Sequence, residues 1–298
     1  AIDLVVPTSL FVLPLTLIKQ HFRDDVDRAK LLMQEKREQV RMEKLLLEAL
    51  VPPTIGVRLT AGEELIADRY EHTTVLFVYL DEYEETLFEF GAAQTITWLN
   101  NIFCRFDAVL GKHYIDTVCK VETFSNFYLA CSGCPEPCDL HAEQCVSAAM
   151  SMIRAAHAVL RPDGLPTSVR VGLSSGPLCA GVTGNASPRF SIFGDTVNVS
   201  SRMASTAQSS HKDHRSIHIS ESTALELSES FLLSLSTTQG WKLEARGGGM
   251  VIKGKGHMQT YTLHKQNVDE GPASRRGTGE DDDELHHRIV PFRRMGTL

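Results

Sequence analysis

Asn198 and Arg202 stand four residues apart in Phe193-Gly194-Asp195-Thr196-Val197-Asn198-Val199-Ser200-Ser201-Arg202-Met203. Gly194-Asp195 is a turn signal that ends a strand, so a helix is predicted from Thr196 onward. A spacing of four puts Asn198 and Arg202 on one helical face, one turn apart. A neutral amide and a fixed guanidinium presented together suit a ligand that carries a sugar and a phosphate. Asp195, in the turn before the helix, is expected to cap or brace it. Lys253-Gly254-Lys255-Gly256 offers two further cations but is not a P-loop, because no Ser or Thr follows the Lys and no preceding Gly has the right spacing. Cys131, Cys134, Cys138, His141 and Cys145 fall within fifteen residues, a spacing that could hold Zn²⁺.

The elements that must position these residues can be read from pattern. The 298-residue chain is 42% hydrophobic and 22% charged, ordinary for a globular protein. Its formal net charge of −7 argues against a nucleic-acid partner, which calls for a basic face. Seven Cys, unevenly scattered, do not make a disulfide framework and read as reduced cytosolic thiols. The chain begins with Ala1 rather than Met, which reads as a fragment or processed product. Residues 4–18 are mostly apolar but fewer than the ~20 that span a bilayer. Lys19, His21, Arg23, Arg28 and Lys30 follow, as on a cytoplasmic flank. Residues 1–18 are therefore either the end of a truncated membrane segment or a buried strand or loop.

Residues 19–53 form the next segment. From 22 to 50 the sequence lacks Gly and Pro, and Val26, Met33, Val40 and Leu47 recur every seven residues. Lys36 and Glu43 interrupt the second apolar position. The stretch predicts either a parallel dimeric coiled coil or an amphipathic helix packed on its own domain. Pro52-Pro53 stops it. Residues 72–80 are β-branched and aromatic, a central strand by composition. Helices are predicted at 92–110, 141–160 and 220–227. Strands are predicted at 117–121, 127–131, 169–174 and 189–193, with a hairpin-like end at 249–263. The mixture suggests an α+β fold with a ferredoxin-like core. Residues 265–298, with the block Glu280-Asp281-Asp282-Asp283-Glu284, are expected to be a disordered tail.

These residues carry a family resemblance. The stretch from Phe193 to Met203 resembles, nearly letter for letter, the signature of class III nucleotidyl cyclases, which convert ATP or GTP into a cyclic nucleotide. Leu45-Leu46-Leu47-Glu48-Ala49-Leu50 and Ile66-Ala67-Asp68-Arg69-Tyr70 resemble the family's lead-in helix and linker. Thr74-Val75-Leu76-Phe77 is similar to its first core strand, and Lys120-Val121-Glu122-Thr123 with Ser132-Gly133 to the strand pair over the purine. Arg170-Val171-Gly172-Leu173-Ser174-Ser175-Gly176-Pro177, Ala180-Gly181-Val182, Ile252-Lys253-Gly254-Lys255-Gly256 and Thr260-Tyr261 continue the match in order. The resemblance implies a βαββαβ core of the cyclase type, preceded by a long helix, with the cyclase domain over 54–264.

In that family two domains face one another. One supplies two Asp residues for Mg²⁺ or Mn²⁺; the other supplies the Asn, the Arg, a Lys and the base-reading groups. By resemblance, Asn198 orients the ribose, Arg202 contacts the phosphates, and Lys253 or Lys255 meets the terminal phosphates. Glu122 stands where the family reads the purine. A carboxylate accepts from the N1–H and amine of guanine but opposes the N1 acceptor of adenine, so GTP is favoured over ATP. Ser191 holds the second base-reading position, where guanylate members often have Cys and adenylate members Asp; Ser does not discriminate. Ser132, Gly133, His141 and Ala142 match family positions regardless of metal, which weakens the zinc reading.

The metal-binding positions depart from the pattern. The first metal Asp falls at Tyr79 and the second at Asn126, both neutral and both poor Mg²⁺ ligands. Asp81, two residues beyond Tyr79, is either a substitute ligand or a solvated loop carboxylate. The expectation is half of an enzyme: no metal on this domain, inactivity as a homodimer, and a partner cyclase domain bearing both Asp residues. Such division is known in the family, both within two-domain membrane cyclases and between soluble subunits. The rival expectations are a non-catalytic regulatory domain and an adenylate cyclase half.

Overall fold

The computed structural model describes residues 9–184, 188–210, 215–252 and 255–265. The elements run α1 (Ser9–Leu50), α2 (Pro53–Thr60), β1 (Ala67–Tyr70), β2 (Thr74–Leu80), α3 (Tyr83–His113), β3 (Cys119–Phe124), β4 (Phe127–Ser132), α4 (His141–His157), β5 (Val169–Ser175) and β6 (Leu178–Thr183). They continue with β7 (Arg189–Phe193), α5 (Asp195–Ser205), β8 (Ser216–Ser220), α6 (Glu221–Leu225), α7 (Glu229–Gln239), β9 (Trp241–Ala245), β10 (Met250–Ile252), β11 (Gly256–Met258) and β12 (Thr260–Lys265).

Seven strands form the main sheet in the order β3-β4-β2-β5-β8-β12-β9. Only the β5–β8 pairing is parallel. Within it, β2-α3-β3-β4-α4-β5 with the order β3-β4-β2-β5 is the expected ferredoxin-like βαββαβ unit. β2 is buried on both faces, as its continuous apolar sequence requires. Its alternation divides the core. Leu76, Val78 and Leu80 join Trp98, Ile102 and Phe106 of α3 and Met152 and Ile153 of α4. Val75 and Phe77 turn to the other face, against Leu178 and Ala180 of β6, Phe190 and Ile192 of β7, and Ala204 of α5.

A second sheet, β1-β6-β7, and the β10-β11 hairpin complete the fold. The sequence reading did not anticipate β1, β6, α7 or β9, nor the start of α3 at Tyr83 rather than 92. Gly91 sits inside α3 at φ 76, a left-handed turn that breaks the helical register, so the pattern becomes regular only after it.

α1 is continuous from Ser9 to Leu50. Phe22, Leu31, Leu32, Met33, Val40 and Met42 are exposed along it, so the packed-helix reading does not hold for that stretch. No described helix is long and apolar enough to cross a membrane. Residues 1–8 and 266–298, which include almost all of the expected tail, lie outside the described residues.

Candidate functional site

Helix α5 presents the Asn/Arg pair. Thr196, Val199, Ser200, Met203 and Ala204 face inward, whereas Asn198 and Arg202 are exposed on the opposite face. Two features press this helix onto the sheet. Ser200 Oγ donates to the carbonyls of Val75 (2.8 Å) and Gly172 (3.2 Å). Gly172 has no side chain to interfere: a Cβ there would lie 2.0 Å from the backbone nitrogen of Ala204.

Lys255 reaches the same end of α5. Met250 and Met258 of the β10-β11 hairpin pack on Val199 and Met203. This brings Lys255 Nζ to 2.5 Å from Asp195 Oδ2. Asp195 therefore braces the hairpin against the first turn of α5. It does not cap the helix: Gly194 occupies the N-cap position and no side chain caps it. Lys253 lies outside the described residues.

A bulge aims Glu122. Lys120 pairs with Ala130 and turns toward α3, with its Nζ 2.8 Å from Asp107 and over the Tyr128 ring. Plain alternation would send Glu122 to that face too. The register shifts between Lys120 and Glu122, so Glu122 instead pairs with Leu129, whose side chain belongs to the opposite cluster. The bulge thus turns the carboxylate toward the side of the sheet that carries α5 and β7. Ser191 of β7 pairs with Gly181 of β6 and lies between the inward-facing Phe190 and Ile192. β3 and β7 share that cluster through Val121, but no hydrogen bond joins Glu122 to Ser191 among the described residues.

A cleft of about 410 Å³ opens beside β3, lined in part by Pro53, Leu110, Val118, Lys120 and Phe190. It contains none of Glu122, Ser191, Asn198 and Arg202. These four stand on the side of the main sheet that carries α5 and β7.

The two metal positions are filled by other contacts. The Tyr79 ring stacks on Phe77 at 5.9 Å and meets Phe127 edge-on at 5.8 Å. Its hydroxyl is 3.1 Å from Ser201 Oγ on α5. Asn126 Nδ2 donates to the carbonyl of Leu80, whose N–H donates back to the Asn126 carbonyl. Asp81 is neither a solvated carboxylate nor a free ligand. Its side chain is 11% exposed, and it accepts from Arg170 Nε at 2.6 Å and from Ser209 Oγ. An aromatic ring, an amide bound to the backbone and an already paired carboxylate do not fit a hard divalent ion.

The cysteine-rich stretch does not converge on a metal. Cys131 and Cys134 are buried on the α5 side of the sheet, whereas Cys145 is buried on the α3–α4 side. A hydrogen bond with Cys134 and burial hold the Cys131 thiol well above its ordinary range, and burial raises that of Cys145. Thiols buried on two faces of a sheet do not close on one ion. Sequence reasoning also missed the Asp81–Arg170 pair, which only the β2–β5 pairing creates.

Residues 65–265 match the family described as adenylate and guanylate cyclase catalytic domain. Soluble guanylate cyclase 89Da of Drosophila melanogaster is 35% identical over 220 residues, which is 73% of this chain and 30% of that protein. Receptor-type guanylate cyclase gcy-28 of Caenorhabditis elegans is 34% identical over 239 residues, which is 78% of this chain and 17% of that protein. The guanylate cyclase domain of RhGC from Catenaria anguillulae, solved in complex with GTP, is similar with a TM-score of 0.57 and 30% identity. That match covers 67% of this chain and 100% of the other. The chain spans less than a third of the length of these two curated relatives.

Proposed function

Because the chain belongs to the adenylate and guanylate cyclase catalytic-domain family, we propose that it is the nucleotide-binding half of a guanylate cyclase. A second cyclase domain, with both metal-binding Asp residues, completes the site. The contrast across α5 carries this reading. Asn198 and Arg202 are exposed and available to a ligand. Ser201 beside them is tied to Tyr79, in the place where a metal carboxylate is required.

In the reaction the ribose 3′-hydroxyl of GTP attacks the α-phosphorus and gives up its proton to water. A new O3′–P bond forms as the bond to pyrophosphate breaks, which leaves cyclic GMP. Asn198 fixes the ribose so that the attacking oxygen is in line. Arg202 balances charge that builds on the phosphates. Lys253 or Lys255 serves the terminal phosphates; Lys255 would first have to exchange Asp195 for the ligand. Glu122 accepts from the guanine N1–H and amine, with Ser191 nearby on β7. Mg²⁺ or Mn²⁺ is left to the carboxylates of the partner domain. The same reading places the domain in the cytoplasm, with any membrane attachment at or upstream of residues 1–18.

The test is to mix this chain with a cyclase domain that carries both Asp residues and to measure cyclic GMP from GTP. Each alone is expected to be silent and the mixture active. Arg202→Ala in the mixture should cut turnover by at least about 100-fold while leaving stability within ~0.5 kcal/mol, because the side chain is exposed. Unchanged turnover would show that the assigned site is wrong. A second reading, a regulatory domain without turnover, is favoured by the Lys255–Asp195 pair and the Tyr79 cluster. It predicts that the mixture stays silent while GTP still binds.

A further inference from the structure

Among the described residues, one group of metal-ligating side chains lies outside the nucleotide site. His72, His141 and Glu226 each offer one donor atom, and these atoms lie within 4.8 Å of one another. They come from three segments: the turn before β2, the first residue of α4 and the residue that closes α6. His141 is buried, whereas His72 and Glu226 are exposed.

The buried histidine is held by a chain of hydroxyls. His141 Nδ1 lies 2.8 Å from Thr74 Oγ1, which lies 2.7 Å from Ser175 Oγ. Ser175 in turn donates to Thr223 Oγ1 at 3.1 Å. Each hydroxyl has one proton to donate. Ser175 gives its proton to Thr223, so it accepts from Thr74. Thr74 has then used its own proton and must accept from His141. The relay fixes the Nδ1–H tautomer and leaves the lone pair on Nε2. A metal-ligating histidine is oriented in the same way, by a hydrogen bond from its other ring nitrogen.

We infer that His72, His141 and Glu226 form a Zn²⁺ site, with water as the fourth ligand. Two imidazoles and one carboxylate suit Zn²⁺ rather than Mg²⁺ or Ca²⁺, which take oxygen ligands. Tetrahedral Zn²⁺ with bonds near 2.1 Å brings its donors to about 3.4 Å from one another. Donor atoms within 4.8 Å reach that spacing by small turns of the two exposed side chains. The site lies at the start of β2, where His141 opens α4; α4 packs on the face of the main sheet opposite the one that carries α5. It is thus separate from the Asn198/Arg202 site, and its ion would tie the β1–β2 turn, α4 and α6 together.

Metal-free full chain is titrated with Zn²⁺ against a chromophoric chelator, and its thermal midpoint is followed with and without Zn²⁺. His72→Ala and Glu226→Gln change exposed residues, so both variants should fold. Each is expected to weaken Zn²⁺ binding at least about tenfold and to remove the Zn²⁺-dependent rise in midpoint. Thr74→Val removes the group that orients His141 and should weaken binding by about 10–100-fold. Co²⁺ substituted for Zn²⁺ should give tetrahedral absorption bands in the wild type that both ligand variants lose. The inference is overturned if the wild type binds no Zn²⁺. It is equally overturned if the His72→Ala, Glu226→Gln double variant binds Zn²⁺ as tightly as the wild type, which would place the ion on thiols instead.

Discussion

Tyr79 occupies its position with three contacts at once: Phe77 behind it, Phe127 at its edge and Ser201 at its hydroxyl. Replacing an Asp by a residue so well packed changes more than charge. It joins β2, β4 and α5 where a metal would otherwise lie between carboxylates. Asn126 shows the same conversion, with its amide donating to the Leu80 carbonyl. Glu122, by contrast, is exposed and makes no ion pair among the described residues. A substitution there reads base recognition with little effect on folding. Glu122→Lys in the active mixture should raise the ratio of cyclic AMP to cyclic GMP by about tenfold or more, since the new cation can donate to adenine N1. An unchanged product ratio would remove Glu122 from base reading.

At the scale of the element, α5 is the part whose placement matters most, and two residues beneath it set that placement. Gly172→Ala would drive a methyl into the Ala204 backbone. The helix must lift, at a cost of about 1–3 kcal/mol, read as a lower denaturant midpoint. At the other end, His218 of β8 bonds through Nδ1 to the Met203 carbonyl. Burial, against the pull of that hydrogen bond, lowers its pKa to about 4. An unfolded chain takes up this proton near pH 6.5 and the folded chain only near 4, so the unfolded state binds more protons between those values. Stability contributed by His218 is complete above about pH 6.5 and is lost as pH falls toward 4, by at most ~3 kcal/mol. Burial lowers His141 in the same direction. Denaturant midpoints measured from pH 7 to 4 should fall less steeply for His218→Asn than for the wild type.

At the scale of the whole molecule, the chain carries Asn198 and Arg202 exposed on α5 and a long helix with exposed apolar residues. The heptad positions Met33 and Val40 are exposed and Val26 is half-buried, as a stripe meant for a second helix would be. We propose that α1 pairs with a like helix in parallel and sets the distance between two catalytic domains. Met33→Asp combined with Val40→Asp should lower self-association of the full chain at least about tenfold by analytical ultracentrifugation. Association unchanged by both acids would assign the contact to the catalytic domain alone.

The central strand β2 and the Asn198/Arg202 face were legible because they depend on local pattern: a β-branched and aromatic run on β2, a four-residue spacing on α5. The βαββαβ unit followed from the family resemblance, and β1, β6, α7 and β9 were not legible. The absence of Asp at positions 79 and 126 was equally legible, since it needs only the sequence. Tertiary structure decided what replaced them. Aromatic stacking of Tyr79, the pairing of Asp81 with Arg170 and the bulge that turns Glu122 all depend on which strands lie side by side. Cys131 and Cys145 show the limit of spacing most clearly: fourteen residues apart in sequence, they are separated by the thickness of the sheet. His72, His141 and Glu226 show the converse, since chain folding gathers them from positions that no motif connects.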